Sequence, residues 1–319
     1  MKVKSIRATM DTQKVSFPQL VEVGCGIDVH QAVIVATIRS NDHTFETRTF
    51  EAYTSSLKEL KDWCKQKRVT HIAMESTSIY WKSVYNILEE FFEVLLVNAC
   101  HVKNIPGHKT DKKDSAWLSK LLLSGLLKGS FIPAIEIRDL RDLIRYKKKQ
   151  VQQISSERNR LYRILENANI KLSTVMKADS VSGQQVIKAL LAGEKDPVKL
   201  SKLVYGKTKA KRADIIKAFE GNLRDHHRFM LQTIRQSIES KEQLIKELEK
   251  QIGLMADKYA VEIELLTTVD GVGRQSVIAI LSEIGTDMYL YPNEHHLSSL
   301  GRMSPGNNES AGKKRIKTI

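Results

Sequence analysis

The sequence predicts an α/β domain followed by a mainly helical remainder. Two observations carry this. Residues 21–135 alternate short apolar runs with amphipathic stretches. From Leu140 onward, two long stretches instead keep a 4-3 apolar spacing. Period two marks strands and period 3.5 to 3.6 marks helices, so the change of period marks a change of architecture.

Val21 to Asp28 and Gln31 to Arg39 read as a hairpin turning near Val29-His30, and Thr44 to Glu51 alternates as a third strand. Ser55 to Lys67 carries Leu57, Leu60, Trp63 and Cys64 at helical spacing, behind Thr54 or Ser55 as N-cap. Val69 to Met74 is a strand, Tyr80 to Phe92 a helix and Glu93 to Val97 a short buried strand. Asp111 to Leu127 reads as a helix with Trp117, Leu118, Leu121, Leu122 and Leu126 inward. Three strands followed by alternating helices and strands is the order of an RNase H-like α/β domain.

Leu140, Ile144, Lys147, Val151, Ile154, Arg158, Leu161, Leu165 and Ala168 form one seam. Leu231, Ile234, Ile238, Lys241, Ile245, Leu248, Ile252 and Met255 form a second. Such seams predict a coiled-coil connector, pairing within or between subunits, with Lys147 and Arg158 as polar interruptions. Residues 173–222 between them form a lysine-rich insert of short helices, with a break at Asp196-Pro197. The expected domains are a disordered leader at 1–20, an α/β domain at 21–135, the connector at 136–260 and a C-terminal domain at 261–319.

The formal net charge of +14 over 319 residues favours a polyanionic partner, nucleic acid first. No apolar stretch is long enough to span a bilayer, so no membrane partner is expected. Cys25, Cys64 and Cys100 are odd in number and sit in apolar or helical contexts. They make no disulfide framework, and a reducing, cytoplasmic setting is expected.

Four acids stand where a divalent metal could use them. Asp28 and Glu75 end apolar strand runs, and Asp111 and Asp114 open a helix three residues apart. Helical spacing of three puts both side chains on one face. Hard carboxylate oxygens suit magnesium, and two such ions stabilise both charged oxygens of a phosphodiester under attack. The bland alternative for Asp111 and Asp114 is a pair of first-turn acids serving the helix dipole. Val269-Asp-Gly271-Val-Gly273 before a helix is similar to a helix-hairpin-helix turn whose N–H groups hold a phosphate, or is a plain interhelical turn. Ser310, with Lys313, Lys314 and Arg315 close by, could meet a phosphate neutralised by cations; alone, such a stretch is more often a solvated basic loop.

Taken together, Gly26-Ile-Asp28-Val-His30, Met74-Glu75-Ser-Thr, Lys109-Thr-Asp111-Lys-Lys-Asp114-Ser-Ala, Val269-Asp-Gly-Val-Gly273 and Leu300-Gly-Arg-Met-Ser-Pro-Gly-Asn-Asn-Glu-Ser310-Ala-Gly-Lys resemble the IS110-family transposases, including the IS1111 group. The resemblance implies a RuvC-like N-terminal domain with a DEDD tetrad of Asp28, Glu75, Asp111 and Asp114. It also implies a C-terminal serine transposase domain with Ser310 as nucleophile. It further implies Mg2+ as cofactor, DNA (element ends and target) and a structured guide RNA as partners, a homo-oligomer (dimer or tetramer) and a prokaryotic, nucleoid-associated setting.

The family's C-terminal domain normally continues well past the serine loop, so residues 261–319 are expected to be an incomplete version of it. Two alternatives use the same residues differently. A RuvC-type junction endonuclease would need the acids but no Ser310, and a decayed transposase would bind nucleic acid without catalysis. An actin-like phosphotransferase also begins with a strand ending Gly-Ile-Asp, but the chain lacks a second glycine-rich phosphate loop at suitable spacing.

Overall fold

The computed structural model describes residues 20–42, 44–76, 78–98, 102, 114–205, 211–301, 309–310 and 313–314, with backbone alone for the last four. Two compact units emerge, Met1–Ile132 and Pro133–Ile319.

The first unit is built on a five-stranded mixed sheet. Its strands are β1 (Val23–Val29), β2 (Val33–Ser40), β3 (Phe45–Glu51), β4 (His71–Glu75) and β5 (Glu93–Val97), in the order β3-β2-β1-β4-β5. β1 pairs antiparallel with β2 and β2 with β3, whereas β1–β4 and β4–β5 are parallel. Parallel neighbours need crossovers, and the helices α1 (Thr54–Gln66) and α2 (Trp81–Leu88) supply them. A third helix, α3 (Asp114–Leu123), closes the unit.

Alternation along the strands sorts side chains onto two faces. Cys25, Ile27, Val29, Ile72 and Met74 enter one core with Leu57, Leu60, Trp63 and Cys64 of α1 and Val84 and Leu88 of α2. The opposite face takes α3, where Leu118 and Leu121 meet Val97 and Val102. Cys25 and Cys64 are buried free thiols, and burial pushes the Cys25 thiol pKa well up, which keeps it protonated. Cys100 lies outside the described residues.

Two helices are shorter than the apolar spacing suggests. α2 stops at Leu88 rather than Phe92, although Phe92 is still buried. α3 stops at Leu123 rather than Leu127. Gly125 takes φ +65°, the N–H of Gly125 donates to Leu122 and that of Leu126 to Leu121. That left-handed glycine cap turns the chain away and leaves Leu126 exposed instead of inward.

The second unit is helical. α4 (Ile135–Asn167) and α9 (Asp225–Ala256) pack along one another within the chain. Between them lie α5 (Leu172–Val175), α6 (Val181–Leu191), α7 (Pro197–Lys202) and α8 (Arg212–Ala218). These gather around Leu165, Ile187, Leu200, Phe219 and Leu231. The break between α6 and α7 ends at Asp196-Pro197, which start the next helix: the Asp196 carboxylate accepts from the Val198 N–H and Pro197 occupies the first turn. At the other end of α4, Leu140 packs with Ile252 and Ala256 of α9. It also meets Ile263 of α10 (Ala260–Thr267) and Val277, Ile278 and Leu281 of α11 (Arg274–Ile284).

The polar seam positions are ion-paired. Lys147 reaches Glu249 at 2.9 Å and Gln275 at 3.2 Å. Arg158 bridges Asp179 at 3.1 Å and Glu242 at 3.3 Å. A helix α12 (Glu294–Leu300) and a two-stranded pair, β6 (Glu309–Ser310) with β7 (Lys313–Lys314), end the described chain.

Candidate functional site

Two glycines on β1 determine what stands at its end. A Cβ built on Gly26 would lie 2.2 Å from the Ser115 carbonyl oxygen and 2.4 Å from the Ser119 nitrogen, both α3 backbone. A Cβ on Gly24 would lie 2.8 and 2.9 Å from methyl groups of Leu123 and Leu122. Only strand positions without side chains let the helix come this close. The contacts also fix its direction. Moving from Gly24 to Gly26 steps back along α3 from Leu123 toward Ser115, so the helix N-terminus points the way Asp28 lies.

Hydroxyl contacts hold that approach. Thr37 Oγ1 lies 2.8 Å from Ser115 Oγ and 2.8 Å from Thr47 Oγ1, and Arg39 Nε donates to Ser119 Oγ at 3.3 Å. Thr37 is opposite Gly26 and Arg39 opposite Gly24 in the β1–β2 register, so both share the glycine face.

Asp28 follows Gly24 and Gly26 on that face. Across the parallel pair the register runs Gly24–His71 to Ile27–Met74, and Asp28 and Glu75 are the next residue on each strand. Asp114 is the first residue of α3. Three of the four sequence-predicted acids therefore gather at one end of one sheet face. The fourth, Asp111, lies outside the described residues. Among the described residues, no three His, Cys, Asp or Glu side chains are grouped closely enough to hold a metal ion. The donor set is nevertheless all hard oxygen, the chemistry that a divalent cation such as magnesium takes.

His30, quoted in the first motif but given no role there, contacts one of the candidate acids. Its Nε2 lies 3.0 Å from Asp28 Oδ2, with His30 largely exposed and Asp28 largely buried. The signal was available, because residues two apart on a strand share a face.

The other candidates lie in the second unit. Gly271 takes φ +80°, the conformation a glycine is needed for, and Val272 N–H closes the turn onto Val269. Gly273 is the N-cap of α11, and among the described residues no side chain caps that helix start. Ser276 N–H donates to the Gly273 carbonyl at 2.9 Å, so of the first turn only the Arg274 and Gln275 N–H groups are left to an anion. Ser310 is paired across a short antiparallel ladder with Lys313, and Glu309 with Lys314. The side chains of Ser310, Lys313 and Lys314, and the whole of Arg315, lie outside the described residues.

Part of the basic run from Arg145 to Lys149 is paired. Arg145 makes a two-pronged contact with the Glu283 carboxylate at 2.9 and 2.8 Å. Arg141 Nε donates to the Ser282 carbonyl at 2.7 Å and its Nη2 to the Glu283 carbonyl at 3.0 Å, closing the C-terminal end of α11. With Lys147 also paired, these cations fasten α11 to α4.

Two family models match the chain. One, a transposase model for the DEDD domain of IS110 elements, covers residues 25–170. The other, the transposase IS116/IS110/IS902 family, covers residues 263–319. Together they span well over half of the sequence. No curated protein matches it.

Proposed function

The chain belongs to the IS110 family of transposases, and from that premise we propose that it cuts and rejoins DNA with a carboxylate tetrad and a serine nucleophile. Its family makes it a DNA-binding transposase, and the DEDD domain implies dependence on a divalent metal. The sheet order β3-β2-β1-β4-β5, with one antiparallel and one parallel half, supports reading the first unit as RNase H-like and RuvC-like. Among the described residues, no helix is long and apolar enough to cross a membrane.

The observation that carries the reading is the arrangement around β1. Asp28 and Glu75 leave neighbouring parallel strands at the same level, and two glycines draw the N-terminus of α3, with Asp114, along the same face. We assign Asp28, Glu75, Asp111 and Asp114 to Mg2+. Magnesium bound there supplies electrostatic stabilisation of the charge on the attacking and leaving oxygens of a phosphodiester. The Asp28 carboxylate is oriented by its contact with His30, which leaves Oδ1 for a cation.

Ser310 Oγ forms the new bond to phosphorus, the bond from phosphorus to the outgoing strand oxygen breaks, and the hydroxyl proton is passed to that oxygen. Cations at Lys313, Lys314 and Arg315 neutralise the phosphate, and the Gly271–Gly273 turn holds a neighbouring one. A structured guide RNA and assembly into a homo-oligomer complete the reading; the net charge of +14 supports an extended polyanion.

The test is strand cleavage on element-end DNA with its RNA and magnesium present, followed by denaturation. The reading expects a protein–DNA adduct that needs magnesium and disappears in Ser310→Ala. Metal-dependent nicking without any adduct would instead select the RuvC-type endonuclease. An adduct persisting in Ser310→Ala removes that residue from the nucleophile role. Binding without metal-dependent cleavage selects the non-catalytic alternative.

A further inference from the structure

The positive charge of this chain does not lie where the chemistry is proposed. Residues 20–132 hold fourteen Lys or Arg against thirteen Asp or Glu. Residues 257–319 hold seven against eight. The segment between α4 and α9, residues 168–224, holds twelve against five, a net of +7 and half of the total of +14.

This segment is a folded module rather than a charged tail. α5 to α8 close over Leu172, Val186, Leu200 and Phe219, all buried. Nine of its described Lys and Arg residues are exposed, among them Lys188, Lys199, Lys202, Lys217 and Arg224. Lys188, Lys199, Lys202 and Lys217 stand in the last turns of α6, α7 and α8, where the helix dipole favours cations. The dipole accounts for their placement but does not call for so large an uncompensated excess.

A second, independent feature lies at the base of the module. A shallow cleft of about 600 Å³, wide open to solvent, is lined by the exposed residues Asn167, Asn169, Asn222 and Arg224, with Glu220 and Pro197 beside them. Its floor is two chain segments pinned together. Asn222 N–H donates to the Ala168 carbonyl at 2.9 Å and Lys171 N–H to the Ala218 carbonyl at 2.7 Å. A Cβ on Gly221 would stand 2.5 Å from the Ala168 carbonyl oxygen, so the segments touch backbone to backbone. Asn169 takes φ +56° at the turn.

Primary amides present both a donor pair and an acceptor, the complement of a base edge, and a guanidinium takes a phosphate. Shape decides which form of nucleic acid fits. A double helix is read by a convex element entering its groove, which a concave cleft cannot do. Unpaired nucleotides are read by being splayed into a concave site and bonded along their exposed edges.

We propose that residues 168–224 are a second nucleic-acid-docking module, whose cleft takes an unpaired nucleotide while the surrounding lysines hold the phosphates of the same strand. The module core includes Leu165 and the C-terminal helices pack at Leu140, 25 residues apart on one helix. At 1.5 Å per residue that is about 38 Å, so the module is separate from the Gly271–Gly273 turn within this unit. The proposal rests on the transposase reading only in that the chain handles nucleic acid. It uses neither the acids nor Ser310, so loss of cleavage leaves it standing.

The test uses the full chain in EDTA, where metal-dependent cleavage cannot intervene, and fluorescence anisotropy across a range of KCl. The probes are an RNA hairpin with an unpaired loop, a DNA hairpin of the same sequence and a fully paired DNA duplex. Either hairpin should bind more tightly than the duplex, and comparison of the two identifies the strand as RNA or DNA. Lys188→Gln, Lys199→Gln, Lys202→Gln and Lys217→Gln combined should flatten the dependence of log Kd on log salt by about 0.7 for each phosphate that the variant no longer neutralises. Asn167→Ala with Asn222→Ala should leave that slope alone and erase the preference for hairpins. Wild-type melting temperatures establish that the variants fold; should the fourfold variant not fold, Lys199→Gln with Lys202→Gln replaces it. A duplex bound as tightly as the hairpins, or a folded lysine variant with unchanged affinity and slope, overturns the proposal.

Discussion

Asp28 and Glu75 stand at the same level of the parallel pair β1 and β4, each one residue beyond the paired Ile27 and Met74. Parallel neighbours lie about 4.8 Å apart, close enough for two carboxylates to share cations. Groups that act as one unit lose their effect together rather than additively. Asp28→Asn and Glu75→Gln are therefore expected to reduce magnesium-dependent cleavage by similar factors, each beyond the roughly 100-fold that loss of an outer-shell partner costs. The double variant should be scarcely worse than either single one. Single-turnover cleavage rates check this, and an additive double variant would separate the two residues functionally.

The close approach of α3 to β1 predicts a sharp response at Gly26. A methyl group there meets backbone atoms of α3 at 2.2 and 2.4 Å, which cannot swing aside as a side chain would. Gly26→Ala should destabilise the first unit by about 1–3 kcal/mol, the usual cost of overpacking. Because the helix must retreat, Asp114 retreats with it, and cleavage should fall by more than the loss of folded protein explains. Gly273→Ala is the comparison. Among the described residues no atom lies within 4 Å of a Cβ there and its φ is −82°, so the melting temperature should stay close to wild type. Thermal melts of both variants, beside their cleavage rates, decide the matter.

Much of this fold is visible in local patterns. Val23 to Val29 and His71 to Glu75 show themselves as strands because each is a short apolar run that ends in an acid or next to one. The two long helices show themselves through their seams. What local pattern does not carry is long-range contact. Ser115 meets Thr37 from 78 residues away, so the role of Gly26 as a seat for α3 has no local signature. The partners of Lys147 and Arg158 likewise come from distant segments, and without them both read as flaws in an apolar seam. Asp196-Pro197 is different: the same two residues end one helix or start another, and only the Asp196 to Val198 capping bond shows which. At the candidate site, three of the four acids are brought to one sheet end, while Asp111 and the Ser310 side chain lie outside the described residues.

His227 is expected to make the stability of the second unit sensitive to acid. Its side chain is buried at the start of α9, where Arg224 N–H donates to Nδ1 at 3.3 Å and Arg224 Nη2 lies 3.0 Å from Nε2. A neutral ring can accept at one nitrogen, whereas a protonated ring accepts at neither. Burial first, and then the Arg224 charge, hold its pKa below the ordinary 6.5. A depressed folded-state pKa contributes stability that is fully present above the unfolded value and lost as pH falls through the folded one. The second unit should therefore lose stability as pH drops below about 6.5. His227→Gln, which cannot titrate, should flatten that dependence while lowering stability at neutral pH. Urea melts between pH 5 and pH 8 test it; an unaltered pH slope in the variant assigns the acid sensitivity elsewhere.

Arg158 and Leu161 stand three residues apart on α4 and should respond to truncation very differently. Arg158 bridges Asp179 and Glu242 but remains about one-third exposed, as do both partners or more so. Solvent screens such pairs, and each contributes from nothing to about 1 kcal/mol. Leu161 is buried in the core that joins α4 to the insert. Its removal leaves a cavity and forfeits the transfer energy of the side chain, about 2–5 kcal/mol for Leu→Ala. Arg158→Ala should thus cost roughly 1–2 kcal/mol at most for its two bridges, and less in high salt. Leu161→Ala should cost more and be indifferent to salt. The contrast matters for the seam, because a polar residue there that held the arm together by its charge would show the opposite order. Denaturant melts at low and high KCl separate the cases: a salt-sensitive loss in Arg158→Ala larger than that in Leu161→Ala would make the ion bridge, not the apolar core, the principal tie between α4 and the insert.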